Sequence, residues 1–132
     1  MRTAAIVAFL ALGACVDRGG IRPLQPLEIP MIPYRDAATT TMTGSLMYEG
    51  GCLLFRDERS RALLLPVWPE GTRFSGTALF YHLPGKSDQM FAVAQELLLY
   101  GEPVRWDVLS YRPFRGHCPY PPFFVSNVRP AD

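Results

Sequence analysis

The chain has 132 residues, enough for one domain with a real core and too few for two. Thirteen Lys and Arg stand against twelve Asp and Glu, so no strong field draws it to nucleic acid or to an anionic surface. Thirteen Pro and eleven Gly argue against long helices and for short strands, turns and extended arms.

Met1-Arg2 supplies a positive start, and the run from Thr3 to Leu12 is nearly all apolar. That run is shorter than the ~20 residues of a membrane-spanning helix. It suits the h-region of a secretory signal, which is about 7–15 residues long. It ends in Leu12-Gly13-Ala14-Cys15, which closely resembles the bacterial lipoprotein signal: a Leu, two small residues, then the cysteine that takes the lipid. The resemblance implies a diacylglycerol thioether on Cys15, cleavage after Ala14 and palmitate-type acylation of the new amino terminus. Several acyl chains then hold the protein on a bilayer far more firmly than one would. Val16 follows the cysteine where the inner-membrane retention signal of that family has Asp, and Asp17 comes one place later. The resemblance therefore implies a cell-envelope protein, lipid-anchored in the outer membrane and facing the periplasm.

From residue 15 to residue 41 the chain reads as a lipidated tether and a Pro-rich arm. Pro23, Pro26, Pro30 and Pro33 exclude helix and favour an extended, polyproline-like path. Leu24, Leu27, Ile29, Met31 and Ile32 lie between them, more apolar side chain than a solvated linker needs, so packing is expected beyond Arg22.

Residues 42–132 read as the globular domain, a small all-β barrel. Leu46-Met47-Tyr48-Glu49 is the first strand, ended by Gly50-Gly51. Cys52 to Phe55 and Ala62 to Trp68 follow as a hairpin around the polar turn from Arg56 to Arg61. Pro66 and Pro69 bracket Val67-Trp68, which puts that strand at an edge or a bulge. Thr77 to Leu83 is a fourth strand. Met90 to Tyr100 suits strand slightly better than helix, with Gln95 as the exception to a period-two face of Phe91, Val93, Leu97 and Leu99. Val104 to Leu109 and Phe123 to Val128 complete the strand set, after a Pro-rich approach through Cys118, Pro119, Pro121 and Pro122.

The order of Gly51-Cys52-Leu53, a Leu-rich strand into Val67-Trp68-Pro69-x-Gly71, a Gly101-x-x-Val104 step and a cysteine before the last strand resembles a group of small bacterial envelope proteins of uncharacterised role. The resemblance runs from about Gly44 to Pro130. It implies a five- or six-stranded barrel of oligonucleotide/oligosaccharide-binding (OB) type and carries no catalytic residues.

With Cys15 lipidated, Cys52 and Cys118 remain as an even pair in an oxidising compartment, so a disulfide is the default. The rival is a metal site of Cys52, Cys118 and His117, and it lacks a fourth ligand at any paired spacing. Trp68, Tyr81, Trp106, Tyr111, Phe114, Tyr120, Phe123 and Phe124 could line a stacking groove, although a small barrel needs such residues inside. Tyr111, Arg112, Phe114 and Arg115 lie in the one segment that is both aromatic and basic, which makes it the candidate contact surface. Phosphate loop, Gly-x-Ser-x-Gly and dinucleotide fingerprint are all missing, so neither cofactor nor metal is expected. The reading is a non-catalytic lipoprotein that binds another envelope protein or a cell-wall glycan, and no nucleic acid. The alternative is a small periplasmic hydrolase or metal-binding protein using His82 and His117.

The lipobox reading has a direct test. Cys15→Ala should leave the precursor uncleaved and unlabelled by palmitate analogues in growing cells, and normal labelling of that variant would refute lipidation at this residue.

Overall fold

A computed structural model describes residues 25–36, 39–108 and 112–131. Cys15 and the proposed signal and tether up to residue 24 therefore lie outside the described residues. Five strands pair in a ring: β2 (Thr40–Glu49), β3 (Cys52–Asp57), β4 (Leu63–Pro69), β8 (Glu96–Pro103) and β9 (Pro122–Pro130). The order is β4-β3-β2-β8-β9, and a parallel β4–β9 pairing returns to the start. The β3–β4 ladder holds only Phe55↔Leu64 and Arg56↔Leu63, so the ring is not a strictly closed barrel. This is the partly open, OB-like layout. Between β4 and β8 the chain makes a separate three-stranded sheet of β5 (Arg73–Phe74), β6 (Ala78–Tyr81) and β7 (Gln89–Ala92).

The first hairpin turns on Gly50 and Gly51, whose φ angles of 59° and 84° place both in the left-handed region. Two such residues between paired Glu49 and Cys52 match the type I′ connection that suits twisted antiparallel strands. Gly44 and Gly101 serve a different end. A Cβ on Gly44 would stand 1.9 Å from the Arg56 carbonyl oxygen, and one on Gly101 1.8 Å from that of Phe124. Backbones can approach that closely only where no side chain intervenes, and this lets a small barrel coil tightly.

β4 is neither an edge nor a bulged strand. One side pairs with β3 as far as Leu64 and then with β1 (Met31–Ile32) from Trp68, while the other pairs with β9 from Leu65. Pro66 has no N–H to give, and it falls between those two partners on the shared side. Trp68 N–H donates to the Pro30 carbonyl at 2.9 Å and Glu70 N–H to that of Ile32 at 3.0 Å. The Pro-rich arm is thus packed from Ile29 to Ile32, as its apolar residues there require.

Three apolar clusters explain why β3 and β4 are apolar without alternation. Leu53, Phe55 and Trp68 point into the ring with Leu46, Leu97, Leu99, Phe123 and Val125. Cys52, Leu54 and Leu65 point outward, beneath Phe114 and Cys118. Val67 and Phe124 also point outward, beneath Ile32 and Val104. A strand covered on both faces has no solvent side to mark with polar residues.

Three expected elements differ from those observed. Met90 to Tyr100 is two strands, broken where Ala94 takes a φ of 77°. Gln95, the exception to the alternation, makes that break: its side-chain oxygen accepts the Ala92 N–H at 3.0 Å. Val104 to Leu109 is no strand among its described residues, because β8 itself runs on to Pro103 past a bulge at Tyr100/Gly101. A 3₁₀ turn over Trp106–Val108 follows it. The segment before Cys118 is a helix, α1 (Arg112–His117), which holds Pro113 in its first turn, where proline is tolerated. Cys118 N–H donates to the Phe114 carbonyl at 2.7 Å, and Pro119 forbids continuation.

Cys52 and Cys118 form the expected disulfide, with Cα atoms 5.8 Å apart and a sequence separation of 66. On the chain-entropy account, a loop of that size is worth about 4 kcal/mol, out of the ~5–15 kcal/mol of a typical domain. Cys52→Ser, Cys118→Ser and the double variant should therefore lose the same stability in urea titrations, within error. Unequal losses, or free thiols in the unreduced mature protein, would show that the bridge does not form in solution.

Candidate functional site

The aromatic and basic segment divides between core and surface. Phe114 is only 1% exposed and packs against Cys52, Leu54, Leu65 and Cys118, so it is not a contact residue. In one helical turn, adjacent residues point about 100° apart, and Arg115 beside it is exposed. Tyr111 lies outside the described residues, and of Arg112 only the backbone is described. His117 lies at the last helical position, where its Nε2 is 2.9 Å from the Gly50 carbonyl oxygen.

This helix closes a particular part of the barrel. OB-type barrels bind ligands on the face of their second and third strands and on the loops beside it. Here those strands are β3 and β4, and α1 covers their outer face. The disulfide and the His117 contact also tie the β2–β3 turn to the β8–β9 connection. The aromatic residues that could have lined a stacking groove are largely structural. Trp68, Tyr81, Phe123 and Phe124 are buried, while Trp106 and Tyr120 brace the outer clusters. Tyr81 donates its hydroxyl to the Val125 carbonyl at 3.2 Å, and burial raises its pKa well above the ordinary phenol range.

The two imidazoles do not share a site. His82 follows β6, with Nδ1 2.9 Å from Asp88 Oδ1, and Arg73 lies 3.6 Å from the other carboxylate oxygen. Its backbone N–H donates to the buried Thr72 hydroxyl at 3.1 Å, and its ring lies over Gly71, where a Cβ would come within 2.6 Å. The His82 contact, and secondarily Arg73, lowers the Asp88 pKa. His117 belongs to α1 and has its own backbone partner. With both thiols joined, Cys52, Cys118 and His117 cannot form a zinc set. Among the described residues no group of three or more His, Cys, Asp and Glu could hold a metal ion.

Two adjoining clefts remain open beside the β3–β4 hairpin. The first, about 460 Å³, is lined by Thr41, Met42, Thr43, Asp57, Glu58 and Arg59. The second, about 290 Å³, continues from Glu58 past Ser45, Arg56, Arg61 and Glu96. Thr41, Thr43 and Ser45 alternate along β2, opposite Tyr100, Leu98 and Glu96 of β8, so their hydroxyls share the outer face. That polar alternation was the available sequence signal for this surface. Asp57 shapes its rim by accepting the Ser60 N–H at 2.9 Å and the Ser60 hydroxyl at 2.6 Å.

No family model, curated protein or solved structure matches this chain. Among the described residues no helix is long and apolar enough to cross a membrane.

The Asp57 turn carries a pH prediction. The Ser60 side-chain hydrogen bond, followed by the Ser60 backbone one, lowers the Asp57 pKa in the folded state. Its contribution to stability is therefore present above the unfolded carboxylate value of about 4 and lost as pH falls through the lower folded value. Asp57→Asn should unfold at lower urea than the parent at pH 7, and the gap between the two midpoints should narrow as pH falls below about 4. A constant gap across that range would assign the effect to shape instead of charge.

Proposed function

We propose that this is a non-catalytic, lipid-anchored envelope protein that binds a partner protein of the envelope through the polar clefts beside the β3–β4 hairpin. One observation carries this reading: α1 and the disulfide cover the face that OB-type barrels use for ligands, while the hydroxyl-lined face of β2 stays open. Aromatic stacking, which single strands and many sugars require, is taken up by the core. The open clefts offer hydroxyls with guanidinium and carboxylate groups, a surface suited to the backbone and mixed charges of an extended peptide. The nearly balanced net charge argues against nucleic acid.

The lipobox at Cys15 and a disulfide stable only in an oxidising compartment support the envelope location. Val16 after the cysteine supports the outer membrane. A hydrolytic role for His82 or His117 finds less support, since Asp88 and the Gly50 carbonyl engage them separately. A cell-wall glycan is the second reading, favoured by the row of Thr41, Thr43 and Ser45.

A photoreactive residue at Thr43, half-buried in the cleft, separates these readings in intact cells. A discrete adduct with one protein, weakened when Arg56→Glu is added, is the expected result. Adducts with cell-wall fragments alone would favour the glycan, and no adduct of either kind would overturn the binding surface.

A further inference from the structure

The small sheet presents a second exposed face. Cross-strand pairing sets Arg73, Phe80 and Met90 in one row, and Ala78 and Ala92 in the next. Their neighbours Phe74, Leu79 and Phe91 point the opposite way, into the core. Met90 is 65% exposed and Leu27 39%, against a core whose large side chains are almost wholly covered. A groove of about 400 Å³ joins Leu27 to Phe80 through Arg73 and Phe74. The Arg73 guanidinium lies 4.8 Å over the Phe80 ring, with its side chain 66% exposed at the rim. Lys86, in the turn between β6 and β7, is also exposed.

The corner at which Leu27 joins the fold argues for what covers this face. Leu27 stands twelve positions after Cys15, a separation of at most about 40 Å even if fully extended. Its N–H donates to the Tyr48 hydroxyl, and the Tyr48 ring packs on Phe74, so the arm enters the fold beside the small sheet. A lipid at Cys15 thus tethers the molecule by this corner. We propose that Leu27, Phe80 and Met90 seat in the surface of the bilayer that carries the lipid, with Arg73 and Lys86 at the level of the phosphates. The proposal rests on the lipidation reading. Exposed Leu27 and Met90 and half-buried Phe80, with Arg73 and Lys86 beside them and Glu28 and Asp88 nearby, suit the headgroup boundary, where the apolar ends leave water and the charged groups do not. It also accounts for an apolar row on a sheet that faces away from the core. Seating there would fix the orientation of the barrel relative to the membrane, which a tether alone leaves free.

The full-length protein, with p-benzoylphenylalanine at position 90 or at control position 59, is reconstituted in phosphatidylethanolamine and phosphatidylglycerol vesicles and irradiated. Met90 is exposed, so its replacement leaves the core untouched. The expected result is at least tenfold more phospholipid adduct at position 90 than at position 59. Equal lipid adduct at the two positions, or adducts at position 90 chiefly with protein, including a second copy of this chain, would overturn the seating. The acyl chains on Cys15 are read separately from the intact mass. If they are absent, the Cys15 thiol is coupled to a maleimide phospholipid and the same irradiation decides the seating on its own.

Discussion

Burial of β3 and β4 on both faces is the constraint on which the rest of the molecule depends. A small barrel fills its interior with one side-chain set per strand and leaves the other set to water. Here the outward set is also apolar: Cys52, Leu54, Leu65 and Val67, joined by Phe124 of β9. It would be a serious exposed patch without cover. Two covers solve the problem. Six-residue α1, far too short to be stable alone, is held over Leu54 and Leu65 by Phe114 and the Cys52–Cys118 bridge. The arm covers the other end through Ile32 and its parallel pairing with β4. The disulfide therefore acts locally as well as through the unfolded chain, because it pins the helix that keeps one outer cluster dry.

That arrangement has a functional consequence. The face on which an OB-type barrel would hold an oligomer has become a second core. Fold type alone would point to a ligand site there, and the side chains argue otherwise. Among the described residues, two other surfaces stay open for the contacts proposed above: the polar β2 and hairpin face, and the small sheet. The two surfaces differ in chemistry. One is hydroxyl and mixed charge, and the other is thioether, phenyl and isobutyl with a charged rim. Different chemistry on separate elements suits different occupants, as the two proposals require.

How far the sequence could be read depended on whether local chemistry or tertiary pairing decided each element. The Gly50-Gly51 hairpin was legible because only residues tolerant of positive φ make that turn. The Cys52–Cys118 pairing followed from parity and compartment. Gln95 broke an otherwise regular period, and the break was a real turn whose hydrogen bond no propensity encodes. Pro66 signalled a lost ladder bond correctly, but an edge was inferred where the strand was changing partners. Phe114 and Arg115 were read together as one surface because composition does not register direction, and a single helical turn sends one inward and the other out. Among its described residues the expected 104–109 strand is missing because the bulge after Tyr100 lets β8 run on through Pro103.

The insertion of β5–β7 follows from the same economy of burial. Phe74, Leu79, Tyr81 and Phe91 reach into the main cluster, so the small sheet and the ring share one core. A three-stranded sheet can pack one face there, and its other face must meet either water or another surface. Natural sheets facing water usually alternate toward charged and hydroxyl side chains. Phe80, Met90, Ala78 and Ala92 do not. The edge strand β7 is blunted by the Gln95 side chain on the Ala92 N–H, which discourages pairing with a further strand. With extension hindered at the β7 edge and the face itself apolar, contact normal to the sheet suits this element, and that is the contact the proposed seating would supply.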